Sequence, residues 1–144
     1  MQDIPKESDW GDYRSGRDSI CAYRAYFGKS NSDMQQGFYN CVIERFDELK
    51  YVPLSVFEYY IIGARDYILK NNFPSFEAAD AVCCFISLVQ FWIEKSPDFM
   101  AKIKSEVCPV LTMILNYQDK YDVNPEIYGV LRQEYSVVVD FYDI

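Results

Sequence analysis

The stretch "AVCCFISLVQFWI", residues 81–93, decides how this chain is read. It is apolar nearly all the way round a helix, and a helix apolar on every side is buried on every side. A membrane span needs about 20 apolar residues. This run is shorter, and Asp80, Ser87 and Gln90 interrupt its outline. The stretch therefore reads as a central core helix packed round by others, with Val82, Phe85, Ile86, Val89 and Trp92 buried.

The flanking sequence carries helix punctuation on both sides. Upstream, Pro53 opens "PLSVFEYYIIGARDYILKNN" (53–72), where Leu54, Phe57, Ile61, Ala64 and Ile68 share one face and Asn71–Asn72 supplies a stop. Before it, "NSDMQQGFYNCVIERFDELKYV" (31–52) spaces Met34, Phe38, Cys41, Val42, Phe46 and Leu49 by three and four. That spacing predicts one helix capped by Ser32. A first helix over 17–30 ends at Gly28, and residues 1–16 read as an irregular polar segment. The central helix itself starts from Ser75 as cap and runs through Lys95.

Downstream, "SPDF" (96–99) restarts the chain with a cap followed by proline, and Pro109 predicts a kink or a split in the helix that runs to about Tyr121. "NPEI" (124–127) repeats the start signal. From there Ile127, Val130, Leu131, Tyr135, Val138 and Phe141 or Tyr142 keep helical spacing, with Ile127, Leu131 and Val138 facing inward. The valines at 137–139 also permit a strand, since Tyr135, Val137, Val139 and Phe141 alternate. The fold class predicted is all-α, a single compact domain spanning 1–144 with about six helices around the hydrophobic one.

Composition narrows function by exclusion. Fourteen Lys and Arg against 22 Asp and Glu leave a net charge of −8. Such a field repels phosphate backbones and anionic membranes and attracts basic partners. Histidine is absent, so no Ser-His or Cys-His nucleophile pair exists within the chain. Phosphate-cradling glycine motifs and a calcium-loop pattern are also missing. Asp47–Glu48 or Asp119 with Asp122 offer acid–base chemistry, but neighbours of this kind occur in any acidic protein. Arg14 and Arg17 flank Gly16 as a conceivable phosphate cradle, and more simply balance Asp9, Asp12 and Asp18. No cofactor and no metal site is expected.

The five cysteines, Cys21, Cys41, Cys83, Cys84 and Cys108, are odd in number and lack Cys-x-x-Cys spacing. They read as buried reduced thiols, and with the polar start "MQDIPKESDW" they place the protein in the cytoplasm. Thirteen Tyr and ten Phe exceed what a minimal core needs, and tyrosine suits interfaces because it joins an apolar face to a polar tip.

Acids and aromatics coincide in two places. One is Asp9, Trp10, Asp12 and Tyr13. The other spans the C-terminal part, where the candidate partner-binding residues are Asp119, Tyr121, Asp122, Glu126, Tyr128, Glu134, Asp140, Tyr142 and Asp143. Their charge is offset chiefly by Lys120 and Arg132. Aromatic anchors supply affinity, and carboxylates steer encounter with a basic surface.

The stretches "NYQDKYDVNPEIY" (116–128) and "EYSVVVDFYDI" (134–144) give the chain its character: it resembles, as a class, the small acidic immunity proteins of bacterial toxin–immunity systems. The resemblance implies a cognate basic toxin, of nuclease type, bound one to one, and no catalysis. Two other readings stand beside it. An acidic mimic of nucleic acid, of antirestriction or anti-CRISPR type, requires carboxylates spaced like phosphates, whereas here bulky apolar groups interleave them. A helical enzyme or ligand-binding bundle requires a large pocket near Asp80, Ser87 or Gln90.

Overall fold

The computed structural model describes residues 2–74 and 76–144, and everything described is helix, turn or loop, with no strand among those residues. Among the described residues eight α-helices reach six residues or more, two are single turns, and there are three 3-10 turns. The all-α expectation holds, with more and shorter helices than six. The chain forms two compact units, Met1–Tyr67 and Ile68–Ile144.

In the first unit, residues before 17 are more ordered than expected. They form 3-10 turns at Glu7–Trp10 and Tyr13–Ser15. Trp10 and Tyr13, the aromatics of the N-terminal acidic–aromatic cluster, are buried. Tyr13 stacks on Tyr23 with ring centroids 3.7 Å apart, and Trp10 meets the same ring edge-on at 5.3 Å. Tyr23 belongs to α1 (Arg17–Tyr26). The chain leaving α1 is pinned by a side chain from later in the unit: the Tyr60 hydroxyl lies 2.8 Å from the Tyr26 oxygen at the helix end and 2.7 Å from that of Lys29 beyond it.

The single helix expected over 31–52 is two, α2 (Asn31–Asn40) and α3 (Val42–Glu48), broken at Cys41. The cap is Ser30 rather than Ser32. Its hydroxyl accepts from the Asp33 N–H, and the Asp33 carboxylate accepts from the Ser30 N–H, both at 3.0 Å. Met34, Phe38, Val42, Phe46 and Leu49 are buried as the spacing required, whereas Cys41 is exposed.

Helix α4 (Leu54–Lys70) follows Pro53 as expected. It crosses α2 at Gly63, where an added Cβ would sit 2.3 Å from Asn31 Oδ1. The Asn31 amide donates to the Tyr59 carbonyl and that of Gln35 donates to the Gly63 carbonyl, each at 3.0 Å. The boundary between the units falls near the end of α4.

The second unit is built on α5 (Ala78–Lys95), and Val82, Phe85, Ile86, Val89 and Trp92 are all buried. Its expected cap, Ser75, lies outside the described residues. Helix α5 packs against α6 (Pro97–Lys102), against a 3-10 turn at Gln118–Tyr121 and against α10 (Ser136–Tyr142). Between them, α7 (Lys104–Asn116) carries Pro109 in its interior. The expected split lies not there but at Ile103. Pro109 removes the N–H that would meet the Ser105 carbonyl, and both residues are solvent-exposed, so water can serve that oxygen.

The helix expected from Pro125 to the end is three pieces: α8 (Pro125–Tyr128), α9 (Leu131–Glu134) and α10. The strand alternative at 135–141 is not adopted. Leu131 and Val138 face inward as read, but Ile127 is 75% exposed. Gly129 causes this change. Its φ of 76° and ψ of −179° are open only to glycine, and the chain turns there before Ile127 can join the later core face.

None of the five cysteines forms a disulfide, and Cys21 and Cys41 are exposed rather than buried. Among the described residues no helix is long and apolar enough to cross a membrane.

Candidate functional site

Residues 117–137 of the second unit bring exposed apolar side chains and exposed acids together along the chain. Helix α7 stops at Tyr117, whose backbone leaves the helical region, and the Gln118–Tyr121 turn ends on Asp122 in the left-handed region at φ 58°. Asn124 then caps α8, its side chain accepting from the Glu126 N–H at 2.9 Å. Gly129 ends α8, and Glu134 folds back so that its carboxylate occupies the place a side chain at 129 would need.

Gln118 ties this segment together. Its amide nitrogen donates to the carbonyls of Val123 (3.0 Å) and Gly129 (2.8 Å), and its oxygen accepts from the Leu131 N–H (3.0 Å). Within the loop, Lys120, Asp122, Val123, Asn124, Ile127, Tyr128 and Gly129 each donate their N–H to a nearby backbone oxygen. Tyr121, Val123 and Leu131 are its buried roots.

The predicted residues divide. Asp119, Asp122, Glu126, Glu134, Asp140 and Asp143 are exposed, as is Tyr128. Among the described residues none of the six carboxylates forms an ion pair; salt bridges there join Arg14 to Glu7, Arg45 to Glu48, Lys50 to Asp47 and Arg65 to Asp66. Arg132, counted from sequence as a cation offsetting them, is engaged elsewhere, donating to the Ile144 backbone oxygen and to Asn116.

Tyr121 and Tyr142 are corrected: both are core residues, 0% and 1% exposed. Tyr121 packs edge-on with Phe73, and Tyr142 donates its hydroxyl to the Met100 carbonyl at 2.8 Å. Burial pushes both phenols above their ordinary range. The exposed apolar side chains of this segment, besides Tyr128, are Tyr117 (61% exposed), which belongs to the same acidic–aromatic stretch of sequence, and Ile127, Val130 and Val137, which spacing does not place at the surface. For Ile127 the signal was present in the glycine two positions on, which interrupts the helical register.

Two concavities accompany this surface. One, of about 280 Å³, is lined by Asp119, Asp122, Val123, Asn124 and Pro125. The other, an open groove of about 820 Å³ on α7, is lined by Lys102, Lys104, Ser105, Cys108, Pro109 and Thr112. Burial raises the thiol of Cys108, and raises that of Cys83 to about 11, so both resist ionisation. Arg14 is committed to Glu7 at 3.7 Å and lies over the Tyr13 ring. Among the described residues no three metal-ligating side chains cluster.

The chain matches no protein-family model, no curated protein and no solved structure.

Proposed function

We propose that this chain is a protein-binding inhibitor of the immunity type: a non-catalytic cytoplasmic protein that covers the active or substrate-binding surface of a basic toxin, of nuclease class. The observation that carries the reading is the pairing of exposed apolar side chains (Tyr117, Ile127, Tyr128, Val130) with carboxylates that form no ion pair among the described residues. From Tyr117 to Ile144 six acids face only Lys120 and Arg132, a net −4 out of the −8 of the whole chain. Unpaired acids steer a cationic partner at long range, and a desolvated apolar anchor holds it. Interleaving with apolar groups suits a compact protein epitope better than a phosphate ladder.

The test is binding to a panel of purified nuclease domains of high isoelectric point, with acidic proteins of similar size as controls. Basic members should bind, with association that slows steeply as salt rises. Ile127→Ser should cost about 2 kcal/mol, mainly through faster dissociation. Asp122→Asn with Glu126→Gln should instead slow association and flatten its salt dependence. Binding to acidic controls, or association indifferent to salt and to these substitutions, refutes the reading.

A further inference from the structure

We infer that residues 119–130 are a preformed docking loop and that Gln118 is the positioning residue that sets its shape, an inference that rests on the inhibitor reading above. A loop of twelve residues would ordinarily carry conformational freedom that binding must remove. In this one many of the backbone groups are already engaged. Its neck is closed by the side chain of Gln118, which meets the carbonyls of Val123 and Gly129 and the N–H of Leu131. A side-chain amide offers two donor hydrogens and one acceptor oxygen, so this single residue uses both functions to hold three backbone groups on the two arms of the loop. This is the arrangement of a compact Ω-loop, with ends drawn together, rooted in the core by the buried side chains of Tyr121 and Val123.

What the closed loop displays is an apolar projection, Ile127 at 75% exposure with Tyr128 and Val130 beside it in sequence. In the same twelve residues stand Asp119, Asp122 and Glu126, with Lys120 the one cation. The occupant that fits is a cationic protein surface with an apolar depression: Lys and Arg meet the carboxylates, and the depression receives Ile127. A nucleic acid is the wrong sign for the carboxylates, and a wholly apolar surface would leave them desolvated and unpaired. Because the loop is shaped before the partner arrives, association carries no ordering step.

Hydrogen exchange on the intact chain tests the positioning role without any partner. In Gln118→Leu, amides of 123–131 should exchange about tenfold faster or more, while those of α5 keep their protection and the far-ultraviolet spectrum is unchanged. Gln118→Glu keeps the acceptor for Leu131 but turns a carboxylate onto two carbonyls, and should loosen the same amides even where the leucine variant folds poorly. Unchanged exchange at 123–131 in a folded variant overturns the inference. The tightest-binding nuclease domain of the panel is the second probe: Gln118→Leu should weaken it about tenfold, through slower association. Loosened amides with unchanged affinity would show that the loop is not the docking element, leaving the inhibitor reading intact on another surface. Failure of wild-type protein to bind any basic panel member overturns both together, and the exchange result then speaks only for the loop's closure.

Discussion

Replacing Gly63 by alanine should destabilise the first unit, although in an isolated helix the same change is favourable. Gly63 lies in the interior of α4, where alanine ordinarily gains about 1 kcal/mol over glycine. Here the new Cβ would stand 2.3, 2.7 and 2.9 Å from Oδ1, Cγ and Cβ of Asn31, all inside any tolerable contact. Asn31 is not free to swing aside. Its Nδ2 donates to the Tyr59 carbonyl at 3.0 Å, and its backbone N–H donates to the Tyr59 hydroxyl at 3.2 Å.

Relief therefore means losing a hydrogen bond of about 1 kcal/mol or moving α2 off α4, at an overpacking cost of about 1–3 kcal/mol. After the helix-propensity gain, a net loss of about 1–3 kcal/mol remains. Urea unfolding with unchanged m-value should show it as a lower midpoint. Asn31→Gly removes all three clashing atoms, so in its background Gly63→Ala should become neutral or stabilising, a coupling that a double-mutant cycle reads directly. A Gly63→Ala protein as stable as wild type, or more so, would refute the close approach of these helices.

Phe85→Ala should cost about 3–5 kcal/mol, because a ring with no solvent exposure leaves a cavity on the face that α5 turns inward; an unaltered thermal midpoint would contradict the placement of that helix. Asp33 is held below its ordinary pKa of 3.8 chiefly by the Ser30 N–H and then by its hydroxyl. A depressed folded value contributes stability that is present above the unfolded pKa and lost as pH falls through the folded one. The advantage of wild type over Asp33→Asn should accordingly shrink on acidification below about pH 4. A difference in melting temperature constant across that range would remove Asp33 from the cap.

The central helix and some helix starts could be read from the sequence, the first from hydrophobic content and the others from proline and capping residues. Residues 81–93 sit in the core as their unbroken apolarity demanded, and Pro53 and Asn124 mark true helix starts. What escaped reading was where a continuous pattern hides a broken backbone. Met34, Phe38, Val42 and Phe46 are spaced by four straight through the break at Cys41, so periodicity carries no trace of it.

The same holds at Tyr135, where Leu131, Val138 and Tyr142 keep helical spacing across a non-helical residue. The acids of the candidate surface were legible because an unpaired carboxylate is confined to solvent. The tyrosines were not, since a phenol can serve a core or an interface equally well. Tyr142 went to the core because the Met100 carbonyl meets its hydroxyl there. Gln118 was invisible, because nothing in a lone glutamine announces three long-range backbone partners.

The two tryptophans of this chain fall one to each unit: Trp10, 1% exposed against Tyr23, and Trp92, 1% exposed with the Lys95 ammonium 4.9 Å from its ring. Nature has thereby installed a separate optical reporter in each half. Trp10→Phe leaves an emitter on α5, and Trp92→Phe leaves one against the Tyr23 ring of α1. Coincident emission changes along a denaturant gradient would mean that both halves melt as one cooperative body. Separated midpoints would assign a stability to each, and would show which half a bound partner protects.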